Sequence, residues 1–261
     1  MKHTIKSIHV LLAAAAAGLA GLCLRIALYR VGFDDRGLLP RMHPLHLACL
    51  ILALGAGLGS FLAAKQQDLG YRHARFLNPW GRTFLMPAVC AALLWHAASL
   101  FALTRRQSFV PAVPDILIWV RMILALGAAG SIFVILWHPP RKEPVNLIFH
   151  CVVCLFFTVD MLSRYQSWSG NPQLPDYLFQ ILACACLALS SYSRMSLFGG
   201  LHNRRVHGFF SLTGLVLCLF CAAGPETPIF YLAGAGWSAA GVWAEDFPAD
   251  TAKTNKQEDM P

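Results

Sequence analysis

Five polar residues that could take part in chemistry recur along one apolar stretch of the chain. They are Asn146, His150, Cys154, Asp160 and Arg164. At 100° per residue these positions share about one third of the circumference of a helix, interrupted by Phe157. An ionisable group inside a membrane span is costly, and it usually faces the bundle interior, a partner or a water-filled cavity. The pattern predicts a polar interior built around this helix.

Further charges lie at a similar predicted depth. Arg25 is near the end of the first apolar run and Arg121 is early in the fourth, level with Asp160 and Arg164. Asp160 and Arg164 are spaced i, i+4 in the acidic-before-basic order that favours pairing along one helix. A weaker polar stripe in the sixth run comprises Gln180, Cys184, Ser191 and Arg194.

Two interpretations of these charges stay open. One is a structural network of neutralised charges, with arginine side chains extending to the membrane interface. The other is an outward-facing basic pocket that accepts an anionic lipid headgroup or solute. The candidate ligand-binding residues are Arg25, Arg121, Asn146, His150, Asp160 and Arg164.

Apolar stretches of the sequence are predicted to form the helices that position these side chains. We call these stretches windows. The 261 residues are 57% hydrophobic and 13% charged, whereas soluble domains carry about 25% charge. About 20 helical residues cross the ~30 Å hydrocarbon core, and only helices satisfy an isolated segment's backbone in lipid. The predicted fold is all-α, a polytopic transmembrane helix bundle with about eight spanning helices. The windows are Ile8–Leu28, Leu45–Ala64, Thr83–Leu103, Ile116–Trp137, Val145–Ser163, Tyr177–Met195, Val206–Ala223 and the short Pro228–Ala244.

The two ends of the chain differ in character. Lys2 and Lys6 precede an apolar run, as in a secretion signal, but the run continues beyond a signal's apolar region and is predicted to be a retained helix. Residues 1–244 are predicted to form a single transmembrane domain. Residues 245–261 are polar and acidic, with few large apolar residues, which predicts a disordered cytoplasmic tail.

The chain has a net charge of +8, and the positions of its lysines and arginines indicate its membrane topology. Lys and Arg punctuate apolar segments instead of clustering on an exposed face, which argues against a nucleic-acid partner. If the N-terminus is inside, the cytoplasmic side receives thirteen lysines and arginines, including every lysine, and the opposite side receives six. The chain is therefore predicted to be a multi-pass cell-membrane protein with a cytoplasmic N-terminus and C-terminus.

Cofactor and enzyme signatures are weak. The nine cysteines all lie within apolar windows, where cysteine serves as a small apolar residue, and His96 and His150 differ in depth, which suits one haem iron poorly. No metal or cofactor is predicted. In "SYSRMSLFGGLH" seven residues separate Arg194 from His202, where the similar lipid-phosphatase motif has five, and "SWSG" lacks the first glycine of a rhomboid protease's GxSG. No known class of membrane-embedded enzyme is indicated.

Small residues predict close helix packing, because packing drives helix association in lipid. They are Gly55 with Gly59 in the second window, and Gly234, Gly236, Ala240 and Gly241 in the last.

The stretch "RYQSWSGNPQLPDYLFQILACACLALSSYSR" resembles an uncharacterised family of polytopic membrane proteins from Gram-positive anaerobic bacteria. The resemblance covers about thirty residues and implies a bacterial cytoplasmic membrane, with no activity or catalytic residue to carry over. The matching positions are Tyr165, Trp168, Ser169, Asn171, Pro172, Gln173, Leu174, Asp176, Tyr177, Phe179 and Gln180.

These features favour a transport or permease-type role for a small or anionic solute or a lipid headgroup. The alternatives are a non-catalytic membrane subunit or scaffold of a larger complex, and an unrecognised membrane-embedded enzyme. The expected partners are the lipid bilayer, an anionic lipid or solute, and a membrane-protein partner.

Overall fold

The structure, a computed structural model, describes most of the predicted membrane domain. The described residues are 2–32, 43–67, 81–106, 114–137, 144–168, 174–198, 204–224 and 227–243. They are almost entirely helical and contain no strand. The predicted all-α helix bundle is confirmed. The predicted tail, residues 245–261, lies outside the described residues.

Within these ranges the chain forms eight α-helices. They are α1 Lys2–Val31, α2 Pro44–Gln67, α3 Met86–Arg106, α4 Pro114–Trp137, α5 Pro144–Trp168, α6 Leu174–Phe198, α7 Arg204–Cys221 and α8 Pro228–Trp243. Four of them begin at a proline, which suits the first helical turn because the amides there have no intrahelical acceptor. A π-helical turn, Gly81–Leu85, leads into α3. It lies just before Pro87, which has no amide hydrogen to continue regular α-helical bonding.

Six helices, α1 to α6, are long and apolar enough to cross a membrane. The chain is an integral membrane protein. The other two are shorter: α7 has 18 residues and α8 has 16. A 16-residue helix is about 24 Å long, less than the ~30 Å hydrocarbon core. The window expected to be shortest is therefore also the shortest helix.

Helices α3 to α8 close into a ring. Each packs against the next in chain order, and α8 returns to pack against α3. The hairpin of α1 and α2 lies outside the ring, where both helices contact α7. Neighbouring helices of the ring run antiparallel, so the start of α4 meets the end of α5, and the start of α7 meets the end of α8. The ring consequently has two ends, and α5 presents its polar residues to the interior.

Glycines mark the closest helix contacts. A Cβ on Gly21 of α1 would enter the ring of Phe220 on α7, and one on Gly234 of α8 would lie 2.7 Å from the Leu187 side chain. The prediction of close packing is confirmed for Gly234 in α8. It is wrong for Gly55 and Gly59, where an added Cβ would meet nothing within 4 Å. These two glycines lie on a helix outside the ring, which leaves much of α2 open to lipid.

Candidate functional site

Asp160 is the centre of a buried group of charges at one end of the ring. Its side chain is 0% exposed, and Arg121 of α4 donates to Oδ1 from Nε at 2.8 Å and from Nη2 at 2.5 Å. Arg164, one helical turn further along α5, donates from Nε to Oδ2 at 2.5 Å. The predicted pairing of Asp160 with Arg164 is confirmed. Two guanidinium groups thus share one carboxylate, which leaves a net positive charge.

His96 of α3 is the fourth member of this group, which we call the Asp160 cluster (His96, Arg121, Asp160 and Arg164). Its Nε2 lies 3.8 Å from Asp160 Oδ1, and its side chain is 2% exposed. The imidazole packs beside Phe156 and Phe230, with ring centroids 6.3 Å and 5.1 Å away. The sequence predicted His96 and Asp160 on the same side of the membrane, but His96 was not included in the site, since nothing in α3 itself points to α5.

Neutral polar groups surround the arginines of the cluster. Arg121 Nη1 donates to Ser163 Oγ at 3.2 Å. Arg164 Nη1 donates to Thr227 Oγ1 at 2.9 Å and to the Tyr231 hydroxyl at 3.3 Å. The Tyr231 hydroxyl in turn donates to Gln180 Oε1 at 3.2 Å. Side chains from α4, α5, α6 and α8 are therefore tied together around one carboxylate.

Arg25 was predicted at the same depth, and its side chain is fully buried. The ion-pair partners of Asp160 among the described residues are Arg121, Arg164 and His96, so Arg25 is not one of them. Arg25 Nη2 instead donates to the Tyr29 hydroxyl at 2.7 Å, and its guanidinium lies 5.3 Å from the centroid of Phe179. The sequence indicated how far along α1 Arg25 lies, but not that α1 is outside the ring.

A second buried polar group lies at the other end of the ring; we call it the Arg194 cluster (His150, Arg194, His207 and Trp237). Arg194 of α6 is 0% exposed, and its Nη2 donates to the Trp237 carbonyl of α8 at 3.1 Å. The guanidinium stacks over the Trp237 ring at 3.9 Å, and His150 of α5 lies beside the same ring at 6.0 Å. Trp237 Nε1 donates to Ser191 Oγ at 3.0 Å.

His207 of α7 connects this cluster to hydroxyl groups. Its Nδ1 hydrogen-bonds Ser193 Oγ at 3.1 Å, and its Nε2 hydrogen-bonds the Gly241 carbonyl at 3.2 Å. Ser190 and Ser211 hydrogen-bond each other at 2.8 Å nearby. Gly241 has to be small, because a Cβ there would collide with the Arg194 guanidinium and lie 3.1 Å from His207 Nε2.

Apolar side chains separate the two clusters. His150 and Asp160 are ten residues apart on α5, which corresponds to about 15 Å along the helix. Between them lie the buried rings of Phe156 and Phe157, which pack against Phe230 of α8 with centroids 6.0 Å apart in both cases. We call these three residues the aromatic layer. The polar stripe predicted on α5 is therefore divided into two sites.

The remaining predicted polar positions are partly accounted for. Cys154 of the stripe is half-buried, and its Sγ donates to the Ala188 carbonyl at 3.4 Å. The side chain of Asn146 lies outside the described residues. Within the described ranges, no three His, Cys, Asp or Glu side chains come together as metal ligands.

Sequence reasoning noted His96 as an ionisable residue within a span but left it out of the candidate site, and it missed His207 and Trp237. The stripe on α6 was the available signal for part of this, because Gln180 joins the surroundings of the Asp160 cluster and Arg194 defines the other cluster. Chemically, both clusters present guanidinium, imidazole and hydroxyl donors, which suit an anion with two or more oxygen acceptors.

No protein-family model, curated protein or solved structure matches this chain.

Proposed function

We propose that this protein is a permease-type transporter of a small oxyanion, either a free solute or a phosphate-bearing headgroup. The observation that carries the proposal is the pair of buried cationic clusters at opposite ends of one helix ring. Charged groups in membrane spans are expensive and mark substrate or ion paths. A ring with one such cluster at each end has the general form of a path through the membrane.

The charge of the Asp160 cluster favours an anion. Arg121 and Arg164 share the single carboxylate of Asp160, so the three side chains carry a net charge of one positive unit. Guanidinium groups bind carboxylates and phosphates through parallel hydrogen bonds, which single lysines cannot do. Arg121 is also 13% exposed, whereas Asp160 is fully buried, and we assign entry of the anion to the Arg121 side.

The aromatic layer favours transport over passive conduction. Phe156, Phe157 and Phe230 fill the interior between the clusters. Transporters alternate access to a central path by moving one group of helices against another. Here α8 contacts both clusters, through Tyr231 and the preceding Thr227 at one end and through Trp237 and Gly241 at the other. We assign the moving element to α8.

A second candidate function is a non-catalytic subunit or scaffold. The dense hydrogen bonding of the Asp160 cluster supports it, because a sealed network of this kind can fix helix positions without any ligand. A transporter requires that water reaches the interior of the ring, whereas a scaffold keeps the interior sealed.

Accessibility of Cys154 tests transport against scaffold. Two variants would each retain one native cysteine: Cys154, half-buried on the polar stripe, or Cys151, exposed on α5. We expect a membrane-impermeant methanethiosulfonate to label Cys154 from both faces of oriented vesicles, because each side opens in turn. Cys151 faces lipid in this arrangement and should stay unlabelled.

Protection of Cys154 from labelling by two phosphate compounds distinguishes a free solute from a lipid headgroup as the bound anion. Protection of Cys154 by dimethyl phosphate but not by dihexanoyl phosphatidylglycerol indicates a free solute, and the reverse indicates a headgroup. Absence of labelling at Cys154 from both faces would establish a sealed interior and favour the scaffold.

We also propose that the protein lies in a bacterial cytoplasmic membrane with both termini in the cytoplasm. The positive-inside distribution of lysines supports this orientation, and the family resemblance supports the bacterial cytoplasmic membrane. It directs the Asp160 cluster outwards and the Arg194 cluster to the cytoplasm.

A C-terminal fusion to alkaline phosphatase checks the orientation, because that enzyme is active only outside the cytoplasm. We expect an inactive phosphatase fusion and a fluorescent green-fluorescent-protein fusion of the same chain. The opposite pair of results would reverse the assignment of the two clusters to the two sides.

A further inference from the structure

His96 is the only histidine in the Asp160 cluster. Histidine is the side chain that ordinarily gains or loses a proton in this range, whereas arginine keeps its charge. We propose that His96 is a proton-binding site and that the transporter takes up one proton together with each anion. This inference rests on the proposed function and adds the second substrate, a proton.

The position of His96 Nε2 fits this role. The atom is buried and makes no hydrogen bond to any described residue. It faces Asp160 Oδ1 at 3.8 Å, which is longer than the roughly 2.7–3.2 Å of an N–H···O hydrogen bond. A proton on Nε2 converts this near contact into an ion pair after a small movement. The imidazole thus lies next to the Asp160 carboxylate without a hydrogen bond to it.

Several titratable or charged groups face His96 from the helices around it. Asp160 of α5 faces it directly, and the groups around that carboxylate are Arg121 from α4, Arg164 from α5, Cys184 from α6 and Tyr231 from α8. The carboxylate favours an imidazolium, and the two guanidinium groups oppose it. With neutral His96 the cluster already carries a net positive charge. These two electrostatic effects oppose each other at the His96 ring.

An oxyanion at the arginines shifts this balance. Its negative charge offsets part of the repulsion between the guanidinium groups and an imidazolium, so proton binding becomes more favourable. Binding free energies are linked reciprocally, so a proton on His96 must strengthen anion binding by the same factor. The uptake of one monoanion and one proton leaves the net charge of the cluster unchanged. The proton comes from water and no covalent bond is formed or broken.

Binding of dimethyl phosphate to the full-length protein in detergent tests the inference. This phosphodiester remains a monoanion between about pH 5 and 8, so any pH dependence belongs to the protein. We expect its affinity to rise by up to about tenfold for each unit decrease in pH, the limit for one linked proton. The His96→Gln variant should bind with an affinity that is nearly independent of pH.

Two controls separate this role from a structural one. His9→Gln replaces an exposed histidine on α1 and should retain the wild-type pH dependence. In weakly buffered solution, the wild-type protein should take up close to one proton for each anion bound, which a pH-indicator dye measures even if His96→Gln fails to fold.

The outcomes distinguish the two proposals. Binding without proton uptake and with equal affinity at each pH would overturn the role of His96 and leave the anion site standing. Absence of binding at every pH, for both dimethyl phosphate and dihexanoyl phosphatidylglycerol, would overturn the anion site and the proton site together.

Discussion

Replacement of Asp160 by asparagine is expected to lower the thermal unfolding midpoint of the purified protein by about 8 °C. The substitution removes the carboxylate that Arg121 and Arg164 share inside the ring. Breaking a buried ion pair by removal of one partner costs about 3 kcal/mol or more, because the remaining charge stays buried without compensation. For a chain of this size, each kcal/mol corresponds to roughly 2–4 °C. Tryptophan fluorescence during a thermal ramp in detergent measures the shift.

A double-mutant cycle assigns the loss to the ion pair. Adding Arg164→Gln to Asp160→Asn should restore part of the stability, because it removes one of the two uncompensated guanidinium groups. We expect a coupling of at least about 1 kcal/mol between the two positions. Arg30→Gln is the matched control, since Arg30 is exposed near the end of α1 and should change stability by less than about 0.5 kcal/mol. Additive losses at Asp160 and Arg164 would contradict the pairing.

The polar face of α5 could be predicted because helical periodicity is a property of one segment. His150 and Asp160 share a face by their spacing, and both are buried in the structure. Their division into two clusters follows from their separation along the axis, which is also available from the sequence. Their partners are not, because no period in α5 indicates that α3 supplies His96 or that α8 supplies Trp237.

Helix arrangement explains the other departures from expectation. Arg25 is fully buried but lies on a helix outside the ring, and its described contacts are Tyr29 and Phe179. Apolarity and length predict that a segment crosses the membrane but not which segments become neighbours. Glycine content likewise does not predict which helix faces pack closely. Gly55 on α2 has open space around it, whereas Gly21 on α1 lies against α7. Close packing depends on what faces a glycine, and this is decided by the rest of the bundle.

Replacement of Gly21 by alanine is expected to lower the thermal stability of the protein, whereas the same change at Gly55 is not. Gly21→Ala would place a Cβ inside the ring of Phe220. Phe220 is fully buried, and its ring packs against Phe179 at 5.8 Å, so it has little room to move aside. Overpacking of this kind costs about 2 kcal/mol, and we expect the unfolding midpoint to fall by about 5 °C. The same thermal ramp in detergent measures it.

Gly55→Ala is the matched control because it makes the same chemical change on a helix surface with open space. Alanine is a better helix former than glycine by about 1 kcal/mol, so this variant should equal or exceed the wild-type midpoint. Opposite signs at Gly21 and Gly55 would establish that α1 is packed on α7 as an integral part of the folded bundle. Equal shifts would instead mean that α1 does not lie against Phe220. The buried position of Arg25 would then lose its support, since Arg25 is on the same helix only one turn beyond Gly21.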